Sequence, residues 1–140
     1  LAVAFIDLDH FKRINDSFGH DAGDQVLREC TQQMLASLRS TDSLLRWGGE
    51  EFVVIMPDTD REQARLALAR MVKDGLGARP DGSPVTASIG LAERCVDFAE
   101  SAEELLDVAD RRMYLAKMSG RNRVCFETPG EPSEEPLSAA

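Results

Sequence analysis

The stretch "RWGGEEFVVI" at residues 46–55 decides the fold, because it places a pair of glycines between two apolar segments. Residues 43–47 (SLLRW) and residues 51–57 (EFVVIMP) have the composition of β-strands, so the stretch predicts a β-hairpin. A hairpin explains the glycines, since they let the backbone turn sharply. It does not explain Glu50 and Glu51, two carboxylates set beside predicted core.

Apolar patterns outside the hairpin predict three further strands and three helices. A continuous apolar run at residues 1–7 that ends in an aspartate is typical of a strand buried on both faces. The first helix is predicted to begin at Asp24 as its N-cap. The last helix is predicted to begin with a capping box of Ser101 and Glu104 and to stop at Gly120. The other elements are a helix at residues 58–77, a strand at 85–93 and a short strand at 124–127.

The resulting order, β-α-β-β-α-β-α-β, predicts an α+β fold (an α/β sandwich) with a central mixed sheet of about five strands flanked by helices. Residues 9–24 are too polar for core and too varied for a linker, and no element is assigned to them. Residues 1–127 are predicted to form one domain. Residues 128–140 are acidic and proline-rich, and we predict a disordered tail there.

Composition indicates an ordinary globular domain. The chain has 140 residues, of which 43% are apolar and 29% charged. No apolar run approaches the ~20 residues that cross a bilayer and no signal segment opens the chain, so we predict a cytoplasmic domain that does not contact the membrane. The cysteines Cys30, Cys95 and Cys125 are widely spaced without a CxxC pair, which favours reduced, buried thiols over disulfides or zinc.

The net charge of −9 argues against a nucleic-acid polymer as partner, because such a partner favours a basic surface. Four acidic residues and no basic ones occur from Glu127 onward, so part of this charge belongs to the predicted tail. An acidic site still binds a polyanionic nucleotide when divalent cations accompany it.

The carboxylates at the hairpin and at the first strand suggest a metal site. Asp7 closes the first strand, and it meets Glu50 and Glu51 at one end of the sheet if the two strands are neighbours. Clustered carboxylates repel one another unless they are protonated or bridged by cations. Mg²⁺ takes one or two carboxylates plus substrate phosphates, and two such ions serve phosphoryl or nucleotidyl transfer. Acidic residues after a glycine turn also occur in a merely solvated hairpin, and the spacing alone leaves both interpretations open.

Four motifs, in order along the chain, resemble those of the GGDEF family of diguanylate cyclases. They are FIDLDHFKRINDSFGHDAGDQVL at residues 5–27, RWGGEEFVVIMP at 46–57, TASIGLA at 86–92 and ADRRMYLAKMSGRNRV at 109–124. The resemblance covers residues 1–127, and the signature here is the GGEEF variant, which active members also use. It implies a nucleotide-cyclase, palm-like fold and an enzyme that condenses two GTP into cyclic di-GMP with release of two pyrophosphates.

The resemblance implies a metal site and a catalytic residue. Asp7 and Glu50 would be the metal carboxylates, and the Leu8 carbonyl would be a further ligand. They would hold two Mg²⁺ per active site, with Mn²⁺ able to substitute. Glu50 is implied as the catalytic residue that helps to deprotonate the attacking 3′-hydroxyl. Glu51 faces the same site, and its part in metal binding stays open.

Recognition of guanine is implied for Asn15 and Asp24, with His20 at the matching position beside them. This agrees with hydrogen-bond chemistry, because the N1–H and N2–H₂ groups of guanine are donors and adenine lacks that pair. From the residues alone, Asp24 could equally serve only as a helix cap.

Binding of the triphosphate is implied for the side chains of Lys12, Lys117 and Arg121 and for the backbone N–H groups of His10 and Phe11. Lys117 and Arg121 are four residues apart at a helix end, so we predict that they share a helical face. Without the resemblance, both could equally be cations that interact with the helix dipole.

A second site is implied by the RSTD motif that starts at Arg39 and ends at Asp42, with five residues between Asp42 and the glycine pair. In the family an RxxD motif at this spacing resembles the site where the product, cyclic di-GMP, inhibits the enzyme. Arginine can form a forked pair with guanine O6 and N7, and aspartate accepts from the Watson–Crick edge. Arg70 on the second predicted helix is a candidate secondary arginine.

One departure from the family concerns the N-terminal side. Members usually carry a helix and a turn with a DxLTGLxNR-like motif before the first strand, whereas this chain starts at LAVAFID, so a truncated domain is expected. Catalysis would need a homodimer, because each domain holds one GTP. The alternatives are a catalytically silent module that binds cyclic di-GMP or GTP, and an ATP-dependent cyclase, against which Asn15 and Asp24 argue.

Overall fold

The computed structural model describes residues 1–128, so the predicted tail at 128–140 lies outside the described residues except for Thr128. Within residues 1–128 the strands are β1 (Ala2–Leu8), β2 (Ser43–Arg46), β3 (Glu51–Met56), β4 (Ala87–Glu93) and β5 (Arg123–Cys125). The helices are α1 (Phe11–Phe18), α2 (His20–Ser37), α3 (Arg61–Asp74) and α4 (Ala102–Met118).

The five strands form one mixed sheet in the order β2-β3-β1-β4-β5. The central strand β1 pairs antiparallel with β3 and with β4, whereas β5 joins β4 in parallel. The β2–β3 hairpin forms where the glycine pair predicts it. The prediction of a mixed sheet of about five strands flanked by helices is therefore confirmed.

Both faces of β1 are buried, because successive side chains of a strand point to opposite sides of the sheet. Ala4 and Ile6 belong to the core beneath α1, α2 and α3, and Val3 and Phe5 belong to the core beneath α4. At the contact with α4, Gly90 of β4 is so close that an added Cβ would lie 1.9 Å from the Ala109 carbonyl oxygen. The glycine therefore sets how near α4 lies to the sheet.

Two helix boundaries differ from the prediction. The unassigned residues 9–24 contain α1, and α2 begins at His20 with Gly19 as N-cap, so the prediction that Asp24 caps the helix is wrong. The reason is the backbone of Gly19, whose positive φ of 88° breaks the chain into two helices at this residue. The short polar stretch around it does not reveal this break in the sequence. Asp24 lies inside α2, one turn after His20.

The predicted capping box is only half formed. The Glu104 N–H donates to Ser101 Oγ, but the Glu104 carboxylate accepts from the N–H of Glu100 instead of that of Ser101. The prediction of buried thiols is correct for Cys30 alone, because Cys95 is exposed and Cys125 is half-buried.

Candidate active site

Acidic side chains gather at the end of β1 and at the hairpin turn. Asp7 is directly opposite Glu51 in the β1–β3 register, and the Leu8 N–H donates to the Glu50 carbonyl at 3.2 Å. Burial raises the pKa of Asp7, and the negative charges of Glu50 and Asp9 add to this. Burial also raises the pKa of Glu51, with a contribution from Asp7. The predicted meeting of strand end and turn is thus observed.

A cation from a distant part of the chain reaches these carboxylates. Lys117, in the last turn of α4, donates from Nζ to Asp7 Oδ2 at 2.7 Å. This charge lowers the pKa of Asp7 and so opposes the effect of burial. The contact is half-buried on the lysine side, where solvent screens it less than at an open surface.

The predicted helical pair of Lys117 and Arg121 is wrong in its geometry. α4 ends in a Schellman motif, in which the Gly120 N–H donates to the Lys117 carbonyl and the Arg121 N–H to the Ala116 carbonyl. Gly120 has a φ of 119°, and Arg121 follows in the left-handed region at 63°, so it lies beyond the helix. Arg121 still acts on the start of α1, because its charge helps to lower the pKa of His10, after the larger effects of burial and of Arg13.

The loop from β1 into α1 has the form of an anion site. His10 is the N-cap of α1 with a φ of 55°, and its side chain makes no capping hydrogen bond. The first N–H groups of a helix lack partners within the helix and carry its positive dipole end. The predicted phosphate donors, the N–H groups of His10 and Phe11, therefore lie at a helix start directly after the acidic strand end. Lys12 is exposed in the same turn.

The glycine turn is open where a ligand would lie. Neither Gly48 nor Gly49 has a positive φ, and an added Cβ would meet no atom within 4 Å at Gly49 and only a Glu51 oxygen, at 3.5 Å, at Gly48. The turn itself is held by Arg46, whose Nη2 donates to the Gly49 carbonyl at 2.8 Å. This conformation therefore does not require glycine, and the space beside the turn is unfilled.

The candidate guanine readers come from α1 and α2. Asn15 of α1 packs on α2 at Gly23, where an added Cβ would lie 1.8 Å from Asn15 Oδ1. Gly23 directly precedes Asp24, which lines a groove of about 480 Å³ between α2 and the hairpin together with Arg46. His20 and Asp24 are both exposed, one turn apart on α2. Asn15 is not among the residues that line the groove, although its neighbour Gly23 places it near Asp24.

The three residues of the predicted product site line one cavity. Arg39, Asp42 and Arg70 border a space of about 310 Å³ between the end of α2 and α3. The Arg39 N–H donates to Asp42 Oδ2 at 2.9 Å, and the Arg39 guanidinium contacts Asp42 Oδ1 and Thr59 Oγ1. The Asp42 side chain is 4% exposed and that of Arg39 56%, so a buried acceptor holds an accessible arginine.

Sequence reasoning missed Asp9, whose carboxylate is buried at the same end of β1. It accepts hydrogen bonds from Thr86 Oγ1 and Ser88 Oγ, both at 2.7 Å, and from the Asn122 N–H at 2.9 Å. The signal in the sequence was a second aspartate two residues after Asp7, but its partners lie far along the chain.

The donor chemistry at the end of β1 fits Mg²⁺. Among residues 1–128 no group of three or more His, Cys, Asp or Glu side chains is arranged to hold a metal ion. The predicted set is smaller, with the carboxylates of Asp7 and Glu50 and the Leu8 carbonyl. Hard oxygen donors limited to one or two carboxylates are typical of Mg²⁺ sites that complete their shell with substrate phosphates.

The fold and the acidic strand end define a nucleotide-cyclase type of domain, and comparison with known proteins identifies its family. The family model "Diguanylate cyclase, GGDEF domain" matches residues 1–123. The chain belongs to this family. In the part of the chain that the structure describes, no helix is long and apolar enough to cross a membrane.

Individual relatives agree with this assignment. The chain is 42% identical over 135 residues to the response regulator PleD of Caulobacter vibrioides, covering 89% of this chain and 28% of PleD. The crystal structure of the GGDEF domain of YfiN (also TpbB) from Pseudomonas aeruginosa superposes with a TM-score of 0.83 at 33% identity, covering 91% of this chain and 81% of that one. The GGDEF domain of DgcB from Caulobacter crescentus, in complex with c-di-GMP, has a TM-score of 0.78 at 32% identity, covering 89% and 76%.

Proposed function

We propose that this chain is the catalytic domain of a diguanylate cyclase, which condenses two GTP into cyclic di-GMP and releases two pyrophosphates. The observation that carries the proposal is the contact of Lys117 with Asp7 at 2.7 Å, beside the Leu8–Glu50 backbone bond at 3.2 Å. It puts carboxylates suited to divalent cations, a cation suited to phosphate and the glycine turn at one end of β1. The family match supports the same reaction class.

The reaction consists of two nucleotidyl transfers. In each, a 3′-hydroxyl oxygen of one GTP forms a bond to the α-phosphorus of the other, and the bond from that phosphorus to the pyrophosphate oxygen breaks. The hydroxyl proton leaves to a base, and the electron pair of the broken bond leaves with pyrophosphate. Two transfers close the ring, so no oxidant or further reactant is needed.

The residues at the end of β1 have separate tasks in this proposal. Glu50 accepts the proton of the 3′-hydroxyl as general base. Asp7, Glu50 and the Leu8 carbonyl would hold Mg²⁺, which when bound offsets the negative charge on the phosphate oxygens. The N-terminal N–H groups of α1 bind and orient the triphosphate, as helix starts do for phosphate groups. Lys12, Lys117 and Arg121 supply positive charge to the same group.

GTP is favoured over ATP in this proposal because Asn15 and Asp24 present acceptors to the guanine N–H donors. A site built to accept from N–H groups rejects an analogue that lacks them, since its own acceptors are then left without partners. The groove beside Asp24 and the open glycine turn offer the room for a base and a ribose.

Two chains are required for one turnover, because each site holds one GTP and the two nucleotides attack each other. The chain spans about a quarter of the length of PleD, and in the whole protein a region outside this domain would bring two domains together.

The product is proposed to bind at Arg39, Asp42 and Arg70 and to inhibit turnover. A second candidate function, a silent module that binds cyclic di-GMP, is favoured by the preformed contacts of Arg39 in this cavity.

Turnover of the purified chain separates the two candidates. With GTP and Mg²⁺ we expect cyclic di-GMP by chromatography and mass spectrometry, at a rate that rises with the square of chain concentration at low concentration. Glu50→Gln is expected to reduce turnover at least a hundredfold, which is typical for loss of a general base, while retaining GTP binding. Glu103→Gln, on the exposed first turn of α4, is the matched control and should leave turnover unchanged.

A chain that binds cyclic di-GMP but makes none at any concentration would establish the silent module and refute the cyclase. Undiminished turnover of Glu50→Gln would remove this residue from the mechanism while leaving the cyclase in place.

A further inference from the structure

The turn after α4 contains backbone that side chains disfavour. Gly120 has a φ of 119°, and the two non-glycine residues that follow, Arg121 at 63° and Asn122 at 47°, are both in the left-handed region. A Cβ is crowded by the carbonyl oxygen in that region, so consecutive residues adopt it only where the surroundings hold them. The turn carries Arg121 and closes the helix that carries Lys117, so its geometry decides where both cations lie.

The Asp9 carboxylate holds this turn. The side chain is 2% exposed, and its Oδ2 accepts from the Asn122 N–H at 2.9 Å. The same Oδ2 also accepts from Thr86 Oγ1, and Oδ1 accepts from Ser88 Oγ at the start of β4. Its own backbone N–H donates to the Thr86 carbonyl at 2.8 Å. One buried acceptor therefore ties the end of β1, the start of β4 and the turn after α4 together.

We propose that Asp9 is a positioning residue for triphosphate binding: by fixing the Asn122 N–H, it sets Lys117 and Arg121 against the end of β1 and the start of α1. This inference rests on the proposed function, because it assigns phosphate to those cations. Asp9 does not touch the nucleotide. Two hydroxyl donors and one amide donor satisfy this buried carboxylate, as buried polar groups require.

The proposal predicts a selective loss of phosphate binding. Asp9→Ala removes all three acceptor contacts and is expected to weaken GTP binding roughly tenfold or more, on the scale of a lost hydrogen bond to a charged group. Guanosine, which has the base and ribose but no phosphate, is expected to bind the variant as it binds the parent. Both affinities are measured by NMR titration of the full chain.

A conservative variant and a matched control sharpen this test. Asp9→Asn keeps an oxygen for the Asn122 N–H and an amide for Ser88 Oγ, so GTP binding should be largely retained. The control is Asp81→Ala, which removes a carboxylate that accepts from the Ser83 N–H and Ser83 Oγ in an exposed turn. It should change neither affinity. If Asp9→Ala does not fold, Thr86→Val removes one of the hydroxyl contacts and should weaken GTP binding but not guanosine binding.

Hydrogen exchange of the Asn122 amide, measured without ligand, separates this inference from the proposed function. In the parent we expect a protected amide, and in Asp9→Ala a rapidly exchanging one while core amides stay protected. Equal weakening of GTP and guanosine, or unchanged GTP binding in Asp9→Ala, would overturn the positioning role. A parent chain that protects the Asn122 amide but does not bind GTP would instead refute the proposed function.

Discussion

Lys117 has two competing binding partners in the proposed site, the Asp7 carboxylate and the triphosphate. It donates to Asp7 at 2.7 Å, on the carboxylate that is proposed to bind the metal. With nucleotide it is proposed to bind the triphosphate. The same charge therefore opposes metal binding before GTP arrives and supports the metal–nucleotide complex afterwards. Since binding equilibria at one site are linked, replacing this lysine should change the two affinities in opposite directions.

Lys117→Met is predicted to bind Mn²⁺ more tightly than the parent when no nucleotide is present, and to bind GTP with Mg²⁺ more weakly. Each change is expected to be about tenfold, on the scale of a hydrogen bond between charged groups. Electron paramagnetic resonance of Mn²⁺ at pH 8 gives the first affinity and calorimetry the second.

The control for this change is Lys73→Met, which changes the charge equally in the last turn of α3. The buried residues of α3 belong to the core beneath α1, α2 and α3, and not to the core beneath α4, which carries Lys117. It should shift neither affinity. A nucleotide-free Mn²⁺ affinity that is unchanged or lower in Lys117→Met would show that the ion pair does not occupy the metal's place.

The residues of the site divide into those that the sequence predicts and those that it cannot. Asp7 and Glu50 were predicted to meet, because a buried strand and a glycine hairpin leave their polar residues at one end of a sheet. Asp9 was missed because its partners Thr86, Ser88 and Asn122 lie 77 to 113 positions away. No local pattern marks such a contact.

At the scale of elements, glycines act in two different ways. Gly90 is required by packing, because an added Cβ would lie 1.9 Å from Ala109 O and 2.2 Å from Met113 N, both backbone atoms of α4. Gly49 is required neither by its φ nor by its neighbours, since nothing lies within 4 Å of its added Cβ. The first glycine belongs to the fold, and the second is proposed to leave room for GTP.

Alanine at these two positions should separate stability from binding. Gly90→Ala forces α4 away from β4 and is predicted to lower the free energy of unfolding by about 3 kcal/mol, the upper range for overpacking. Its melting temperature should fall by about 10 °C. Gly49→Ala should keep the melting temperature of the parent and weaken GTP binding. Calorimetric melting and GTP titration of both variants test the pair, and equal losses of stability would contradict the distinction.

Sequence patterns predicted the strands better than the helix starts. Most residues of β1, β3 and β4 are apolar, and most of them are buried, so the pattern and the burial agree. The boundary between α1 and α2 depends on the φ of Gly19 and on the packing of Asn15 over Gly23, which are tertiary features. An aspartate followed by an amphipathic pattern, as at Asp24, has the same local signature whether it caps a helix or lies within one.

At the scale of the whole molecule, the proposed product cavity is separate from the acidic strand end. Arg39, Asp42 and Arg70 are presented by the end of α2, the segment before β2 and α3. Bound product would therefore act on turnover indirectly, by holding two domains in an unproductive arrangement. Such inhibition is a coupling free energy between distinct sites.

Arg39→Ala is predicted to keep GTP turnover and to relieve product inhibition. Loss of both Arg39 and Asp42 should weaken cyclic di-GMP binding about a hundredfold or more, because each removes a hydrogen bond to a charged group. Calorimetry with cyclic di-GMP and progress curves with added product measure the two effects. Arg94→Ala, at an exposed arginine after β4, is the control and should change neither. If Arg39→Ala bound cyclic di-GMP as tightly as the parent, the RSTD motif would be surface charge and not a product site.

The Lys117–Asp7 contact joins residues that are 110 positions apart. During synthesis the strand end and the hairpin leave the ribosome before the cationic end of α4. At roughly 5–20 residues per second, a nascent chain spends several seconds with its acidic strand end made but its lysine missing. Fragments that stop before α4, whether from interrupted translation or from proteolysis, would keep the acidic residues and lack this cation. The proposed nucleotide pocket is thus completed only when the last turn of α4 has been made.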